Sequence, residues 1–204
     1  MEINTIIFDL GGVLIDWNPD YVYQHIYPDP ADRKWFFENV CTHEWNLLQD
    51  AGRSLNEATE EKVREWPSYS EQIRAFYGRW QEMLGGPIEE SVELLKSLKA
   101  QEDLKLLALT NWSHETFPVA LERYDFLHLF EGIVVSGIEK VIKPQREIFE
   151  IVIRRYKVEP DRTVFIDDNA KNVEGSEAVG LKGIHFRSPA QLKNELIELG
   201  VMRP

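Results

Sequence analysis

Short apolar runs in this sequence end in polar residues of the kinds that carry out chemistry. The first run leads into Asp9-Leu10-Gly11-Gly12, and the second leads into Thr110-Asn111. Lys143 stands just before a helical pattern, and a later run ends in Asp167-Asp168. If the runs are parallel strands, their carboxyl ends meet at one edge of a sheet, where ligands bind. The sequence therefore predicts a site that combines three carboxylates, a hydroxyl and a lysine.

Crowded carboxylates at this edge indicate a metal ion. Two ionised carboxylates about 4 Å apart repel by on the order of 4 kcal/mol at an effective dielectric constant of 20. A divalent cation removes that repulsion, and Mg²⁺, which prefers oxygen ligands, suits Asp9, Asp168 and the carbonyl of Gly11. Together with Lys143, the cation makes the site positive enough for a phosphate group. Asp9 is the natural nucleophile, since a carboxylate can attack phosphorus and form an aspartyl-phosphate.

Alternating strands and helices must position these residues. Five strands are predicted from short, continuous apolar runs, and they cover Thr5–Phe8, Leu104–Leu109, Gly132–Val135, Thr163–Ile166 and Gly183–Phe186. The helical patterns that alternate with them cover Glu89–Lys99, Phe117–Tyr124, Arg146–Tyr156 and Asn172–Val179. This alternation indicates an α/β fold with a doubly wound parallel sheet.

One long stretch, from about Trp17 to about Gly86, breaks the alternation because it holds no convincing strand. It contains five of the six tryptophans and is rich in helix formers, as in Ala58–Trp66 and Glu71–Leu84. We therefore predict a small helical cap at residues 17–86, inserted after the first strand. The α/β core then consists of residues 1–16 and 87–204, and Gly85-Gly86-Pro87 is the expected hinge.

The sequence segments around Asp9, Thr110, Lys143 and Asp167 resemble the four motifs of the haloacid dehalogenase-like hydrolase superfamily, whose members are mostly phosphatases. The matching segments are IIFDLGGVLIDW, LLALTN, VIKPQREIF and TVFIDDNAKNVEGSEAVGL, and they occur in the family's order. Each motif alone is weak, but four in order with an insertion after the first are specific. The insertion resembles the family's small helical cap, and the whole is similar to bacterial sugar-phosphate phosphatases of the glucose-1-phosphate type.

The resemblance implies catalytic and metal-binding roles. Asp9 would be the nucleophile and a Mg²⁺ ligand, and Lys143 would bridge the nucleophile and the phosphoryl group. Gly11 would offer its backbone carbonyl to Mg²⁺. Asp168 would bind the ion directly, with Asp167 either a further ligand or close behind it.

Substrate binding is expected from the same strand ends and from the cap. Thr110 and the backbone of Asn111 would hold the phosphoryl oxygens. The glycines after Asp9 would let backbone N–H groups in the Leu10–Gly11 segment approach an oxyanion. In the cap, His43 and Trp45 are the residues expected beside the substrate, although packing alone also explains Trp45.

Position 11 departs from the family pattern. Phosphatases of the family usually carry an aspartate two residues after the nucleophile as general acid and base, where this chain has Gly11. General acid–base catalysis contributes about 10²–10⁴-fold. We therefore expect a preference for leaving groups of low pKa, such as the anomeric oxygen of a sugar 1-phosphate. Alternatively, a cap histidine, His43 or His25, takes the missing role.

Composition narrows the possible partners. The 204 residues carry a formal net charge of −12, which disfavours nucleic acid and anionic membranes. A single cysteine, Cys41, excludes a disulfide framework. No apolar run approaches the ~20 residues of a membrane helix, and the start of the chain lacks the pattern of a secretory signal. The expectation is a cytoplasmic monomer or homodimer whose partner is a small-molecule phosphate ester.

Other functions use similar residues. A 2-haloacid dehalogenase has the same fold and aspartate nucleophile without a metal, but the Asp167-Asp168 pair would repel an anionic haloacid. A response-regulator receiver domain places its acidic pair before its phosphoacceptor, the reverse of the order here. A non-catalytic phosphate-binding pseudoenzyme stays open because of Gly11. The leading interpretation is a magnesium-dependent phosphatase acting on a small phosphorylated metabolite, with a sugar phosphate as one candidate.

Overall fold

A computed structural model describes residues 2–101 and 103–203. The strands are β1 (Thr5–Phe8), β2 (Ile15–Trp17), β3 (Leu84–Pro87), β4 (Lys105–Thr110), β5 (Gly132–Val135), β6 (Thr163–Asp167) and β7 (Lys182–His185). Five of them form a parallel central sheet in the order β5-β4-β1-β6-β7. The predicted parallel sheet is confirmed, and each strand end lies within one residue of its predicted position.

Helices follow or separate these strands. They are α1 (Asp20–Ile26), α2 (Pro30–Asn39), α3 (His43–Asp50), α4 (Leu55–Glu65), α5 (Ser70–Gly78), α6 (Glu89–Lys99), α7 (Phe117–Arg123), α8 (Ser136–Glu139), α9 (Arg146–Tyr156), α10 (Ala170–Glu177) and α11 (Pro189–Glu198). The bounds of α6 and α9 are those predicted. Helix α11 is not among the predicted elements, although the capping box of Ser188 and Gln191 marks its start. None of the helices in the described residues is both long and apolar enough to cross a bilayer.

Both faces of the central sheet are covered, as a doubly wound fold requires. Ile6 and Phe8 of β1 belong to a buried apolar cluster that includes residues of α6 and α11. Ile7 belongs to a second cluster, which includes residues of α9. Because neighbouring residues of a strand point to opposite faces, these helices lie on opposite sides of the sheet. β1 is thus fully buried at the centre, and the residue after it is held at the carboxyl edge.

The segment between β2 and β3 is helical, since every regular element from Asp20 to Met83 is a helix. Its core is aromatic: the ring of Tyr23 lies 4.9–6.3 Å from the rings of Phe36, Phe37 and Phe76. Such aromatic contacts stabilise the helical layer, whose Tyr23, Phe36 and Phe76 belong to the same buried cluster as Ile6 and Phe8 of β1.

The expected hinge, Gly85-Gly86-Pro87, is part of β3 and is not a free turn. β3 pairs antiparallel with β2, so the two ends of the helical segment leave the core side by side. Gly-Gly-Pro is typical of turns, and so short a ladder gives no alternation that a sequence pattern could show. The glycines have a physical reason, because a Cβ at Gly85 would overlap Asp16 and Gly86 has a φ of +121°.

The loop between α3 and α4 ties the helical segment to the core. Ser136 Oγ donates a hydrogen bond to the Asp50 carbonyl at 2.6 Å, and the Leu55 N–H donates to Glu115 Oε1 at 2.8 Å. Gly52 approaches so closely that a Cβ there would lie 2.8 Å from the Gly137 carbonyl oxygen. This loop therefore lies directly against the core segments that follow β4 and β5.

Candidate active site

Asp9 follows β1, and its backbone N–H still donates to the Ile166 carbonyl of β6 at 2.8 Å. One carboxylate oxygen, Oδ1, accepts hydrogen bonds from Lys143 Nζ at 2.8 Å and from the Leu10 N–H at 2.7 Å. Within residues 2–101 and 103–203, no donor reaches the other oxygen, Oδ2. Asp9 therefore has one oxygen fixed by the protein and one left for a ligand. The Leu10 N–H, expected near the phosphoryl group, donates its hydrogen bond to Asp9 Oδ1 in this structure.

Lys143 is only 2% exposed, and its ammonium group is fully hydrogen-bonded. Nζ donates to Asp9 Oδ1 at 2.8 Å, to Asp167 Oδ2 at 2.7 Å and to the Leu109 carbonyl at 3.0 Å. An ammonium group has three hydrogens to donate, and all three are used. Lys143 thus fixes the position of Asp9, and a bond from Nζ to any ligand oxygen would require one of these three hydrogens to be shared.

Asp167, at the end of β6, is fully buried and fully hydrogen-bonded. Its Oδ1 accepts from the Asn169 N–H at 2.8 Å and from Asn172 Nδ2 at 3.0 Å, and its Oδ2 accepts from Lys143. Both oxygens are therefore occupied by protein donors. This geometry suits a residue that holds Lys143 in place better than one that binds a ligand directly.

Asp168, the next residue, is exposed, and no protein donor in the described part of the chain reaches its carboxylate. It lies against Gly12, where an added Cβ would overlap Asp168 Oδ2. Gly12 also has a φ of +73°, in the region that favours glycine. The turn after β1 therefore needs glycine at position 12 to leave Asp168 its place.

Burial and mutual repulsion shift the ionisation of this group. Burial raises the pKa of Asp9 to about 7, with Lys143 opposing the rise and Asp167 adding to it. Burial and then the charge of Asp167 also raise the pKa of Asp168. For Lys143, burial lowers the pKa, but attraction to Asp167 and Asp9 outweighs it and keeps the ammonium charged. One cation shared among three carboxylates leaves the site short of positive charge.

The donor set fits an oxygen-liganded divalent cation. Asp9, Asp167 and Asp168 each offer a carboxylate oxygen, and the three oxygens lie within 4.8 Å of one another. The Gly11 carbonyl accepts no hydrogen bond from the described residues, so it too is free. Oxygen ligands of this kind suit Mg²⁺, which keeps several waters and binds few protein groups. Asp9 Oδ2, Asp168 and the Gly11 carbonyl are the groups not already used by the protein.

Thr110 and Asn111 end β4 beside this group. Thr110 is 1% exposed, and its hydroxyl forms no hydrogen bond within the described residues. The side chain of Asn111 bonds to the backbone of Lys143. Thr110 is therefore free to bind a ligand, whereas Asn111 has a structural task that its sequence context did not reveal.

The cap residues proposed from the sequence make no polar contact with the strand ends within the described residues. His43 is exposed at the first turn of α3, and no hydrogen bond or ion pair in the described chain joins it to the strand-end residues. Trp45 is 6% exposed and packs on Phe76 and Tyr77 inside the cap. His25 is exposed on α1. The structure thus gives Trp45 a packing role and does not bring the two histidines to the site.

Two polar residues near the site were not singled out from the sequence. Asn172, buried on α10, donates to both oxygens of Asp167. The sequence gives one weak indication of this role, because Asn172 is a polar residue on the helix face that packs on the sheet. Asp50, at the end of α3, faces the core loop after β4, and nothing in its local sequence indicates that placement.

Comparisons with known proteins give matches over most of the chain. Residues 3–180 match the family model of the haloacid dehalogenase-like hydrolases. The chain is 26% identical over 193 residues to sesquiterpene phosphatase astK of Aspergillus oryzae, covering 95% of this chain and 94% of that protein. It is 26% identical over 188 residues to a phosphorylated carbohydrates phosphatase of Thermotoga maritima, covering 90% and 84%.

A solved structure shows the same fold. It is that of an enzyme of this family from Bacteroides thetaiotaomicron, in complex with magnesium and inorganic phosphate. The two chains superpose with a TM-score of 0.69 at 24% sequence identity, over 91% of this chain and 95% of the other.

Proposed function

The chain belongs to the haloacid dehalogenase-like hydrolase family, and from that premise we propose that it is a magnesium-dependent phosphatase of a small phosphorylated metabolite. Two relatives support this proposal, since the sesquiterpene phosphatase and the phosphorylated carbohydrates phosphatase are both named as phosphatases. The magnesium and phosphate bound to the Bacteroides enzyme support it too.

The observation that carries the proposal is the state of Asp9. Lys143 and the Leu10 N–H hold Oδ1, while Oδ2 has no protein donor. In the first step Oδ2 attacks phosphorus, the bond from phosphorus to the ester oxygen breaks, and an aspartyl-phosphate forms. In the second step water attacks that phosphorus, and the bond to Asp9 breaks to release inorganic phosphate. Fixing one oxygen orients the other for attack, which lowers the entropic part of the barrier.

Mg²⁺ would be held by Asp9, Asp168 and the Gly11 carbonyl, with Asp167 behind them. When bound, it supplies the positive charge that a phosphoryl group with two negative charges requires. Asp167 then acts through Lys143, which it keeps charged and directed at Asp9. The free hydroxyl of Thr110 would hold a phosphoryl oxygen.

The substrate class follows from the cap. The loop between α3 and α4 lies against the segments that follow β4 and β5, which supports a small substrate over a macromolecule. A sugar phosphate is our leading candidate, and the carbohydrate phosphatase among the relatives supports it.

A panel assay tests this function. Purified protein is incubated with sugar 1-phosphates, sugar 6-phosphates and p-nitrophenyl phosphate, with MgCl₂ or with EDTA, and phosphate release is measured. We expect turnover only with magnesium. 2-Chloropropionate serves as the dehalogenase control, and chloride release without phosphate release would contradict the proposal.

A further inference from the structure

The strand-end residues leave the departing oxygen without a proton donor. A poor leaving group needs a proton as its bond to phosphorus breaks. All three hydrogens of Lys143 are committed, and both oxygens of Asp167 accept hydrogen bonds. Gly11 has no side chain, and the space where its Cβ would stand is empty to 4 Å. Asp168 serves as a metal ligand in the proposed function, so we expect the proton donor to come from outside the strand ends.

Asp50 is a cap carboxyl that faces this region. It ends α3 in the loop that the core holds, because its own carbonyl accepts the hydrogen bond of Ser136 Oγ at 2.6 Å. Ser136 Oγ in turn accepts from the Trp112 N–H at 2.9 Å, two residues after Thr110. The backbone of Asp50 is thus fixed to the loop that follows β4.

A chain of hydrogen bonds inside the cap orients the Asp50 carboxyl. Asn46 Nδ2 donates to Asp50 Oδ2 at 3.2 Å, and Asn46 Oδ1 accepts from the Tyr77 hydroxyl at 2.9 Å. Gln49 Nε2 donates to that hydroxyl at 2.9 Å. A buried polar network of this kind rigidifies the group at its end.

We propose that Asp50 is the catalytic residue that donates the proton to the leaving oxygen, an inference that rests on the proposed phosphatase function. As the bond from phosphorus to the ester oxygen breaks, that oxygen takes the carboxyl proton of Asp50 and leaves as an alcohol. In the second step the Asp50 carboxylate takes a proton from the attacking water. Each turnover thereby restores the acid.

The electrostatics of Asp50 suit this role. Burial raises its pKa to about 7, while the Ser113 N–H and the charge of Lys143 lower it. The ionisable groups that face it are Lys143 from the core and Tyr77 from α5. An acid with a pKa near the working pH can both give and take a proton.

The dependence of the rate on the leaving group tests the proposal. The values of kcat/KM are measured with MgCl₂ for p-nitrophenyl phosphate and for a primary alkyl phosphate, in the wild type, Asp50→Asn and His43→Ala. His43→Ala tests the competing cap candidate, which lies at the other end of α3, about 10 Å away at 1.5 Å per residue. In Asp50→Asn we expect the ratio of alkyl to aryl kcat/KM to fall about 10²-fold or more, and in His43→Ala to stay at the wild-type value.

The outcomes separate this proposal from the proposed function. If the wild type cleaves both esters and Asp50→Asn keeps the wild-type ratio, the phosphatase stands and Asp50 is not the acid. A fall of the ratio in His43→Ala alone would assign the proton to His43 and overturn the proposal. If the wild type cleaves neither ester, the proposed phosphatase function and the proton transfer from Asp50 are both contradicted. Asn46→Ala removes the hydrogen bond to Asp50 together with the one from Tyr77, and leaves the Asp50 carboxyl in place. It should lower the ratio less than Asp50→Asn, and it tests the proposal if Asp50→Asn does not fold, since an unchanged ratio would then contradict it.

Discussion

The side chain of Asn111 binds the backbone of Lys143 at both of its polar groups. Oδ1 accepts from the Lys143 N–H at 2.8 Å, and Nδ2 donates to the Lys143 carbonyl at 3.0 Å. One amide at the end of β4 thus fixes the segment whose lysine holds Asp9. The position of Asp9, the proposed nucleophile, therefore depends on a residue that need not touch substrate.

Asn111→Ala tests this dependence. Both hydrogen bonds are lost, and two partly buried backbone groups lose their partner, which costs about 1–3 kcal/mol. Displacing Lys143 by even 1 Å can slow the reaction by about 10²-fold. We expect lower stability in urea unfolding and a fall in kcat of about tenfold or more. Asn39→Ala is the control, because Asn39 is exposed and bonds only to its own helix. Equal kcat in the two variants would contradict the positioning role.

Asp9→Asn should abolish turnover without loss of the fold. The amide is nearly the same shape as the carboxylate but cannot attack phosphorus, so we expect kcat to fall at least about 10³-fold. Lys143 keeps its bonds to Asp167 and the Leu109 carbonyl. Since burial disfavours the ionised form of Asp9, the melting temperature in EDTA should not fall. Residual activity above a few per cent would argue against covalent catalysis by Asp9.

The central sheet and its polar strand ends were predictable from the sequence because their signals are local. A short apolar run that ends in Asp9 or Asp167 is readable without knowing any neighbour. The hydrogen bonds between Asn111 and Lys143 could not be predicted from the sequence, because only the parallel pairing of the strands brings these two positions together. The placement of Asp50 depends on how the cap meets the core, which no periodic pattern records.

Gly12→Ala and Gly11→Ala should differ sharply, although the positions are adjacent. An alanine at Gly12 takes a left-handed conformation that costs roughly 1–2 kcal/mol, and its Cβ overlaps Asp168. At Gly11 a Cβ meets nothing within 4 Å. We expect Gly12→Ala to lower both the melting temperature and its rise with MgCl₂, and Gly11→Ala to keep both. Equal melting curves would show that Gly12 is not needed to place Asp168.

Asp167 and Asp168 are neighbours with different tasks, and magnesium should separate them. Asp168 is exposed as a residue, and no other residue of the described chain donates to its carboxyl. Partial desolvation of that carboxyl, and then the charge of Asp167, raise its pKa. Neutralising it in Asp168→Asn should therefore not lower the melting temperature in EDTA. The rise with millimolar MgCl₂, which follows RT ln(1 + [L]/Kd), should disappear.

Asp167→Asn should give the opposite result. It leaves the ammonium of Lys143 buried with one carboxylate fewer, and breaking a buried ion pair costs on the order of 3 kcal/mol. The melting temperature in EDTA should fall, while Asp9 and Asp168 still allow some response to magnesium. Thermal unfolding of the wild type and both variants, with EDTA and with MgCl₂, measures all six values. A wild-type melting temperature that is the same with EDTA and with MgCl₂ would contradict the metal site. If Asp167→Asn alone lost the magnesium response, the ligand would be Asp167, and its bonds to Lys143, Asn169 and Asn172 would have to open when the ion binds.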